Sequence, residues 1–299
     1  MKGMLVVTVV ACTMVMTIFT PITFGVVIVD DSWADGGRDN GADPLDTDWW
    51  YSTSSSAIEV SVGSLGLVTG GAGRGIHGTF ASQALGIGDT LTATFTFTTP
   101  ATVTTAGGGG ANFRIGLFDT TAHTLAQDIS TPSALYTNLN GYMMDFDVNP
   151  STTSTNIQFR QRTNAASQNL LSATGDYTSI ASGGASYPFL ANTTYTGVFS
   201  LTRTGADSLD LSGALYQGVS LLSSTTVSDV SGIVSDIGMI GFHANSSIFG
   251  SSSTVGQADN GIDFSNIKIE FTVPEASSLV LALMGAVGTL ATRRRRAVA

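Results

Sequence analysis

The chain of 299 residues contains few charged side chains, 11% of all residues, against about 25% in an average protein. It has two lysines, Lys2 and Lys268, and a formal net charge of −10. Attraction to nucleic acid or to anionic lipid is therefore excluded as its main function. Its one cysteine, Cys12, lies in an apolar N-terminal stretch, so the rest of the chain holds no disulfide and no thiolate metal site.

Familiar enzyme motifs are also missing from the sequence. The three histidines, His77, His123 and His243, are far apart and show no metal-ligand spacing. There is no Gly-x-Ser-x-Gly motif for a nucleophilic serine. Glutamate occurs at only three positions, and the Glu-x-Asp-x-x-Glu pattern of laminarinase-type sandwich hydrolases is absent. The sequence therefore indicates a protein without enzymatic activity.

Apolar residues make up 42% of the chain, enough for one sizeable core. Between Val26 and Val273 they alternate with polar residues, as in Thr90–Thr98, and no sustained helical period of 3.6 occurs. This pattern predicts about a dozen strands, at residues 58–62, 90–98, 113–118, 142–148, 156–162, 195–203, 208–216, 237–243 and 262–271, and near Val26, Ile76 and Val219. We predict an all-β fold, a two-sheet antiparallel jelly-roll sandwich of the concanavalin A-like kind, with other β-sandwiches left open.

Turn signals separate these predicted strands. Thr204-Gly205-Ala206-Asp207 predicts a hairpin turn between two of them. Asn140-Gly141 and Asn260-Gly261 predict two further turns, at glycines that tolerate positive φ.

The N-terminus has the order of a secretory signal peptide. Lys2 precedes an apolar stretch from Met4 to Phe19, and Pro21 follows. We predict a signal peptide over residues 1–25, ending at the small residue Gly25, and an uncleaved N-terminal anchor is the alternative. Export of the following domain, residues 26–273, is the consequence.

The C-terminal segment, residues 274–299, has three parts. Pro274 and Glu275 form a short motif, an apolar stretch from Leu279 to Leu290 follows, and the basic cluster Arg293, Arg294, Arg295 and Arg296 comes near the end. A helix over residues 276–292 would be roughly 25 Å long, slightly less than the hydrocarbon core of a bilayer. The arginines would stay in the cytoplasm, which leaves the domain before Pro274 outside.

This tripartite tail resembles the PEP-CTERM sorting signal of Gram-negative bacteria, although Ala276 stands where a second proline is usual. Residues 26–273 resemble the domain of uncharacterised PEP-CTERM proteins with a concanavalin A-like (LamG-type) β-sandwich. The resemblance implies an exosortase-type sorting protease as partner and passage through the membrane by the C-terminal helix. It implies a final location at the cell surface, the outer membrane or the extracellular matrix. An ordinary C-terminal membrane anchor is the alternative.

An Asp-rich segment follows the predicted signal peptide. Calcium takes six to eight hard oxygen ligands, which carboxylates and loop carbonyls supply. We therefore predict a structural Ca²⁺ site, with no other cofactor required; its candidate ligands are Asp35, Asp39, Asp43, Asp46, Asp48 and, from the last strand, Asp263. A solvated, turn-rich loop is the alternative.

A polar face is predicted on the hairpin of residues 142–148 and 156–162. If Met144 and Phe146 face the core, alternation places acidic and basic side chains together on the opposite face. The predicted ligand-binding residues are Asp145, Asp147, Arg160 and Arg162, together with His243 and the aromatic pair Trp49 and Trp50. We expect the arginines to keep both carboxylates ionised. Cross-strand ion pairs without a ligand are the alternative.

These features define one function and two rivals. We expect an exported, non-catalytic cell-surface or matrix protein that binds exopolysaccharide, with calcium bridging its acidic surface to the polymer. A polysaccharide hydrolase or lyase using Asp145 and Asp147 is the first rival. A purely structural surface protein is the second.

Overall fold

The computed structural model describes residues 23–39, 43–69, 73–104, 112–123, 125–150, 154–244 and 248–274. The chain divides into a unit of residues 25–273 and a second unit of the terminal segments 1–24 and 274–299. Most of the predicted signal peptide lies outside the described residues, as do Glu275, the predicted sorting helix and Arg293–Arg296. Pro274 is the last residue described. Within the described ranges, no helix is long and apolar enough to span a membrane.

The described residues form fifteen strands and three short 3₁₀ turns. The strands are β1 (Thr23–Asp31), β2 (Trp49–Tyr51), β3 (Ile58–Ser61), β4 (Ser64–Val68), β5 (Arg74–Ala84), β6 (Thr90–Thr98), β7 (Asn112–Phe118), β8 (Gly141–Asp147), β9 (Ile157–Arg162), β10 (Tyr177–Gly183), β11 (Thr194–Arg203), β12 (Leu209–Gln217), β13 (Ser220–Asp229), β14 (Asp236–Ala244) and β15 (Gly261–Pro274). The 3₁₀ turns are Ser55–Ala57, Ala134–Tyr136 and Thr174–Asp176.

The strands form two sheets. The eight-stranded sheet has the order β13-β12-β11-β6-β15-β4-β3, with β1 paired to β15. The seven-stranded sheet has the order β10-β9-β8-β7-β14-β5-β2. Strand pairs with a described register are antiparallel, such as β11 with β12 and β7 with β8. The predicted all-β fold with two antiparallel sheets is confirmed, and so is the hairpin turn at residues 204–207, between β11 and β12.

The main core lies between the two sheets and is rich in phenylalanine. Side chains alternate along β6, so Phe95 and Phe97 point into this core while the threonines between them face outward. Phe242 of the seven-stranded sheet packs against Phe264 of the eight-stranded sheet, with ring centroids 4.7 Å apart. Each fully buried ring contributes roughly 1.5–3 kcal/mol of transfer free energy, so these contacts hold the sheets face to face.

A second, smaller apolar cluster covers part of the outer face of the seven-stranded sheet. Met143 of β8 points away from the main core, because its neighbour Met144 points into it. Loops pack onto this face, and the cluster comprises Phe118, Leu125, Ile129, Tyr136, Leu139, Met143, Leu170, Leu171, Tyr177 and Met239. The outer face is therefore only partly open to solvent.

Turns lie next to both predicted positions, at residues 137–138 and 258–259, but neither Gly141 nor Gly261 has a positive φ. Both glycines begin strands, and the positive φ angles lie three and two residues earlier, at Asn138 (61°) and Asp259 (62°). The glycines are required by close approach, since a Cβ on Gly261 would collide with the carbonyl oxygen of Leu67.

Candidate functional site

Six of the seven predicted ligand-binding residues lie on the outer face of the seven-stranded sheet. In β8 and β9, the residues next to Asp145 and Arg160 along the chain, Met144 and Phe159, belong to the main core, so Asp145 and Arg160 point outward. The sheet register places Asp145 opposite Arg114 of β7 and opposite Gln158 of β9. The predicted polar face therefore exists.

Asp145 is the most buried carboxylate of this face, with 2% of its surface exposed. Its Oδ2 accepts a hydrogen bond from Asn112 Nδ2 at 2.7 Å and lies 3.8 Å from Arg114 Nε. Burial nevertheless raises the pKa of Asp145 to about 6, because desolvation outweighs the stabilisation of the charged form by Arg114 and Asn112. Burial also raises the pKa of Asp147.

Arg114 does not hold the pKa of Asp145 in the ordinary range of an aspartate, but a pKa of about 6 leaves this carboxyl group mainly ionised at neutral pH. Arg114, the partner of Asp145, is itself 97% buried and donates from Nη1 to the carbonyl oxygens of Leu171 and Ser172, at 2.8 and 3.1 Å. The guanidinium is thus shared between the carboxylate and a loop. Its attraction for Asp145 does not compensate for the loss of water around the carboxyl group.

A polar cavity of about 230 Å³ opens beside Asp145. It is lined by Asn112, Asp145, Asp147, Thr155, Asn156, Gln158, Arg160 and Ser182. Three buried atoms of these residues have no hydrogen-bond partner among the residues that the structure describes: Asp145 Oδ1, Asn156 Oδ1 and Arg160 Nε. These three atoms are themselves shielded from solvent, so a ligand that offers two donors and one acceptor reaches them only if the surrounding side chains shift. Each buried polar atom without a partner costs roughly 1–3 kcal/mol, which favours such a shift.

Sequence reasoning missed Arg114 and four residues that line the cavity: Asn112, Thr155, Asn156 and Ser182. Alternation along β7 would have placed Asn112 and Arg114 on one face, opposite Phe113 and Ile115. The pairing of β7 with β8 spans more than twenty residues of chain, and no local pattern reveals it. Asn156 is 1% exposed and is held by its Nδ2, which donates to the carbonyl oxygens of Asp147 and Tyr187.

Trp49 and Arg162 were wrongly predicted as ligand-binding residues. Trp49 is fully buried in the main core, where its Nε1 donates to Asp31 Oδ2 at 2.7 Å. Arg162 faces outward but is 97% buried under the loops, where Nη1 and Nη2 donate to the carbonyl oxygens of Tyr136, Ser167, Asn169 and Leu170. A guanidinium that satisfies four loop carbonyls is a structural group and not a ligand contact.

Two other predicted residues also lie apart from the cavity. His243 is 98% buried, and the register of β14 with β7 pairs it with Arg114. Burial lowers the pKa of His243 to about 3, so the imidazole is neutral at physiological pH. Trp50 is half-buried and lies against His77, with ring centroids 5.7 Å apart. Neither lines the cavity, whereas Asp145, Asp147 and Arg160 do.

The structure does not bring the predicted calcium ligands together. Asp35 and Asp43 accept hydrogen bonds from the backbone N–H groups of Gly37 and Leu45, which is typical of turn residues. Asp39 is exposed, and Asp48 directly precedes β2. Desolvation and the nearby carboxylates, Asp31 foremost, raise the pKa of Asp46 to about 6.

Asp263, the sixth predicted calcium ligand, is paired with Gly66 and Thr98 on the eight-stranded sheet. In the part of the chain that the structure describes, no three acidic or histidine side chains come close enough to hold a metal ion. The Asp-rich segment is instead fastened by Arg38, whose Nη1 and Nη2 each lie 2.8 Å from a carboxylate oxygen of Asp128.

Comparison with known proteins gives matches to solved structures alone. No protein-family model matches the chain, and no curated protein matches it. The metal-free VIP36 exoplasmic/lumenal domain is similar at 12% identity and a TM-score of 0.47, over 80% of this chain and 90% of that one. The metal-free Emp46p carbohydrate recognition domain is similar at 10% identity and a TM-score of 0.45, over 80% and 94%. The basic winged bean lectin with Tn-antigen is similar at 11% identity and a TM-score of 0.41, over 85% and 98%.

Proposed function

We propose that this protein is a non-catalytic, concanavalin A-like jelly-roll sandwich that binds a saccharide on the outer face of its seven-stranded sheet. The observation that carries the proposal is the cavity beside Asp145, with its three unpaired buried atoms. Exopolysaccharide is the expected physiological ligand.

Sugar hydroxyl groups match these unpaired atoms. A hydroxyl donates one hydrogen bond and accepts others, so two hydroxyls can donate to Asp145 Oδ1 and Asn156 Oδ1 while one accepts from Arg160 Nε, once these shielded side chains turn toward the cavity. Hydrogen bonds to charged groups contribute more than neutral ones, about 1.5–3 kcal/mol each. The cavity volume of about 230 Å³ accommodates one sugar ring, and the neighbouring rings of a polymer would extend over the open part of the face.

Binding without turnover fits the geometry of the carboxylates. A glycosidase needs two carboxyl groups on either side of the scissile bond. Asp145 and Asp147 lie two positions apart on the same face of β8, and Oδ2 of Asp145 already accepts a hydrogen bond from Asn112 Nδ2. This arrangement supports a hydrogen-bonding role for Asp145.

The proposal is tested by isothermal titration of the full chain with matrix polysaccharide fragments. We expect Arg160→Gln and Asp145→Asn to weaken binding roughly tenfold or more. Lys268→Gln on the opposite sheet is the matched control and should bind like the parent protein. Since the described residues contain no group able to hold a metal, we expect binding to survive EDTA.

Three results of this test would contradict the proposal. Unchanged binding by both Asp145→Asn and Arg160→Gln would place the ligand elsewhere. Release of reducing or unsaturated sugar ends would indicate a hydrolase or lyase. Absence of binding to every saccharide would favour a purely structural role.

Export and sorting form a separate part of the proposal, supported by the sequence of the two terminal segments. We propose that the chain is exported and that an exosortase-type protease cuts the C-terminal segment near Pro274 and Glu275, after membrane passage. Cell fractionation of chains with and without Arg293–Arg296 tests this. The intact chain should reach the cell surface or matrix, and recovery of both chains from the cytosol would contradict export.

A further inference from the structure

Strand β13 forms one edge of the eight-stranded sheet, and within the described part of the chain it pairs with β12 alone. An extra residue, Leu222, interrupts the register near its start, and the seven residues from Ser223 to Asp229 then follow β12 without a break. The free side of this stretch presents backbone N–H and C=O groups that no neighbouring strand uses. Such an edge is a template for the addition of a further strand.

The other edges of the two sheets are short, bulged or partly covered. β2 has three residues and β3 has four. The register of β10 shifts between Ser179 and Ala181, and a bulge of this kind turns an edge away from a partner strand. At β1, Asp30 N donates to the carbonyl oxygen of Leu45 at 2.9 Å, so a loop occupies part of that edge. Among the described strands, β13 is therefore the long edge that the fold leaves open.

The facing sheet contacts β13 from the inside only. There β10 passes so close that a Cβ on Gly183 would collide with Thr225 Oγ1, which points inward. The residues that alternate with Thr225 are exposed on the outer face: Ser224, Thr226 and Ser228. A row of small hydroxyl side chains therefore follows the open edge.

No charge protects this edge. Lysine and proline commonly block edge strands in native proteins, but β13 contains no lysine, arginine or proline. Its one acidic residue, Asp229, is 96% buried and accepts a hydrogen bond from Tyr142 Oη at 2.8 Å. Two copies of β13 can therefore lie side by side without like charges opposite each other.

Hydroxyl pairs already join neighbouring strands on this outer face. Between β6 and β11, Thr90 Oγ1 lies 2.9 Å from Thr202 Oγ1. Between β12 and β13, Thr226 Oγ1 donates to Ser212 Oγ at 3.0 Å. A hydroxyl that donates one hydrogen bond can still accept others. The hydroxyl row of β13 can therefore form the same kind of pair with an identical row on its free side.

We propose that β13 pairs antiparallel with β13 of a second copy of this chain, which joins their two eight-stranded sheets into one continuous sheet. A two-fold axis brings the same surface of both copies together. With the axis at Thr226, Ser224 lies opposite the partner's Ser228. Val230, which is 70% exposed, then comes beside the partner's Leu221, which is 54% exposed. This register matches hydroxyl with hydroxyl and covers apolar side chains at both ends of the contact.

The length of the contact sets the strength that we expect. Seven paired residues extend over roughly 24 Å, at about 3.4 Å per residue. A single strand pair of this length buries less surface than a standard stable interface and belongs with the transient ones. We therefore expect a dissociation constant in the micromolar range.

Sedimentation equilibrium of the full chain tests the proposal, at concentrations on both sides of the micromolar range and at about 0.15 M salt, where distant charges are screened. We expect a monomer–dimer equilibrium in the parent protein. Thr226→Lys places two like charges at the axis and should weaken dimerisation roughly tenfold or more. Thr194→Lys is the matched control, because Thr194 is exposed on the same face but its strand β11 lies between β12 and β6. It should dimerise like the parent.

Cysteine cross-linking locates the contact independently. The parent chain has one cysteine, Cys12, which is replaced by serine in both cross-linking variants. Directly opposite residues of antiparallel strands have Cα atoms about 4.5–5.5 Å apart, which a disulfide can bridge. Thr226→Cys should therefore form a covalent dimer on mild oxidation, and Thr194→Cys should not.

A parent chain that stays monomeric would overturn the proposal and leave this edge to a different extended chain. Dimerisation that Thr226→Lys and Thr194→Lys weaken equally would also overturn it, and so would equal cross-linking of the two cysteine variants. Residue 226 is exposed, so we expect its variants to fold, and urea unfolding checks this. If Thr226→Lys alone failed to fold, the cross-linking of Thr226→Cys would still decide. The cavity beside Asp145 lies on the other sheet, so these outcomes do not depend on the saccharide site.

Discussion

Replacing Asp145 by asparagine should change how the stability of this protein depends on pH. Asp145 is 98% buried, and its pKa in the folded protein is raised to about 6 from 3.8. The folded state therefore binds the proton more tightly than the unfolded state does. As a consequence, this residue makes the parent protein less stable as pH rises from about 4 to about 6, and its contribution is level above that range.

The size of the effect follows from the shift in pKa. A shift of about two units corresponds to about 3 kcal/mol, at 1.36 kcal/mol per unit. Asparagine resembles the protonated acid and does not titrate. At pH 4 the unfolded carboxyl group is already more than half ionised, so the free energy of unfolding of Asp145→Asn minus that of the parent should increase by about 2.4 kcal/mol between pH 4 and pH 7.

Urea unfolding of both proteins at pH 4, 5, 6 and 7 measures this difference. The Arg114 contact adds no separate pH dependence, because its attraction for the ionised carboxylate is already contained in the pKa of Asp145. The raised pKa of Asp46 is common to both proteins and cancels. A difference that stays constant within about 1 kcal/mol, or that falls as pH rises, would refute the argument that burial outweighs Arg114 at this carboxylate.

Two further predictions concern structural residues. Arg162→Met should cost about 3 kcal/mol in the free energy of unfolding, since four loop carbonyls lose their donor. Arg160→Met, at a half-buried position, should lower the free energy of unfolding by less than about 1 kcal/mol. If both variants lost the same free energy of unfolding, the structural role of Arg162 would be contradicted. Gly261→Ala should cost about 2 kcal/mol or more in thermal or urea unfolding, because its Cβ collides with Leu67 O. Gly175→Ala is the control, because a Cβ there meets nothing within 4 Å, and it should change the free energy of unfolding by no more than about 0.5 kcal/mol. A similar loss of stability in the two variants would show that the close approach to Leu67 does not explain the effect of Gly261→Ala.

Strands with clear alternation were predictable from the sequence. β6 and β11 were predicted within one residue of their bounds, because each carries a period-two pattern with one face in the main core. β4 and β10 were missed. Gly66 interrupts the apolar run of β4, and β10 consists mainly of small and hydroxyl residues at the edge of its sheet, so neither shows a strong local signal.

The candidate site was only half predictable. Alternation placed Asp145, Asp147 and Arg160 on one face of a hairpin, and the structure confirms that placement. Burial was not predictable, because it depends on loops that pack over one end of this face and leave the other end open. Arg162 therefore became a structural residue, although it lies only two positions after Arg160.

The sequence by itself determined the strands and the side of each strand on which a residue lies, because alternation is a local property of extended backbone. Only the tertiary structure decided which strands are neighbours, and hence that Arg114 meets Asp145 and that Gly261 lies against Leu67. These contacts join residues from 31 to about 200 positions apart. Their formation depends on how the two sheets bury their apolar faces together, which is a property of the whole chain.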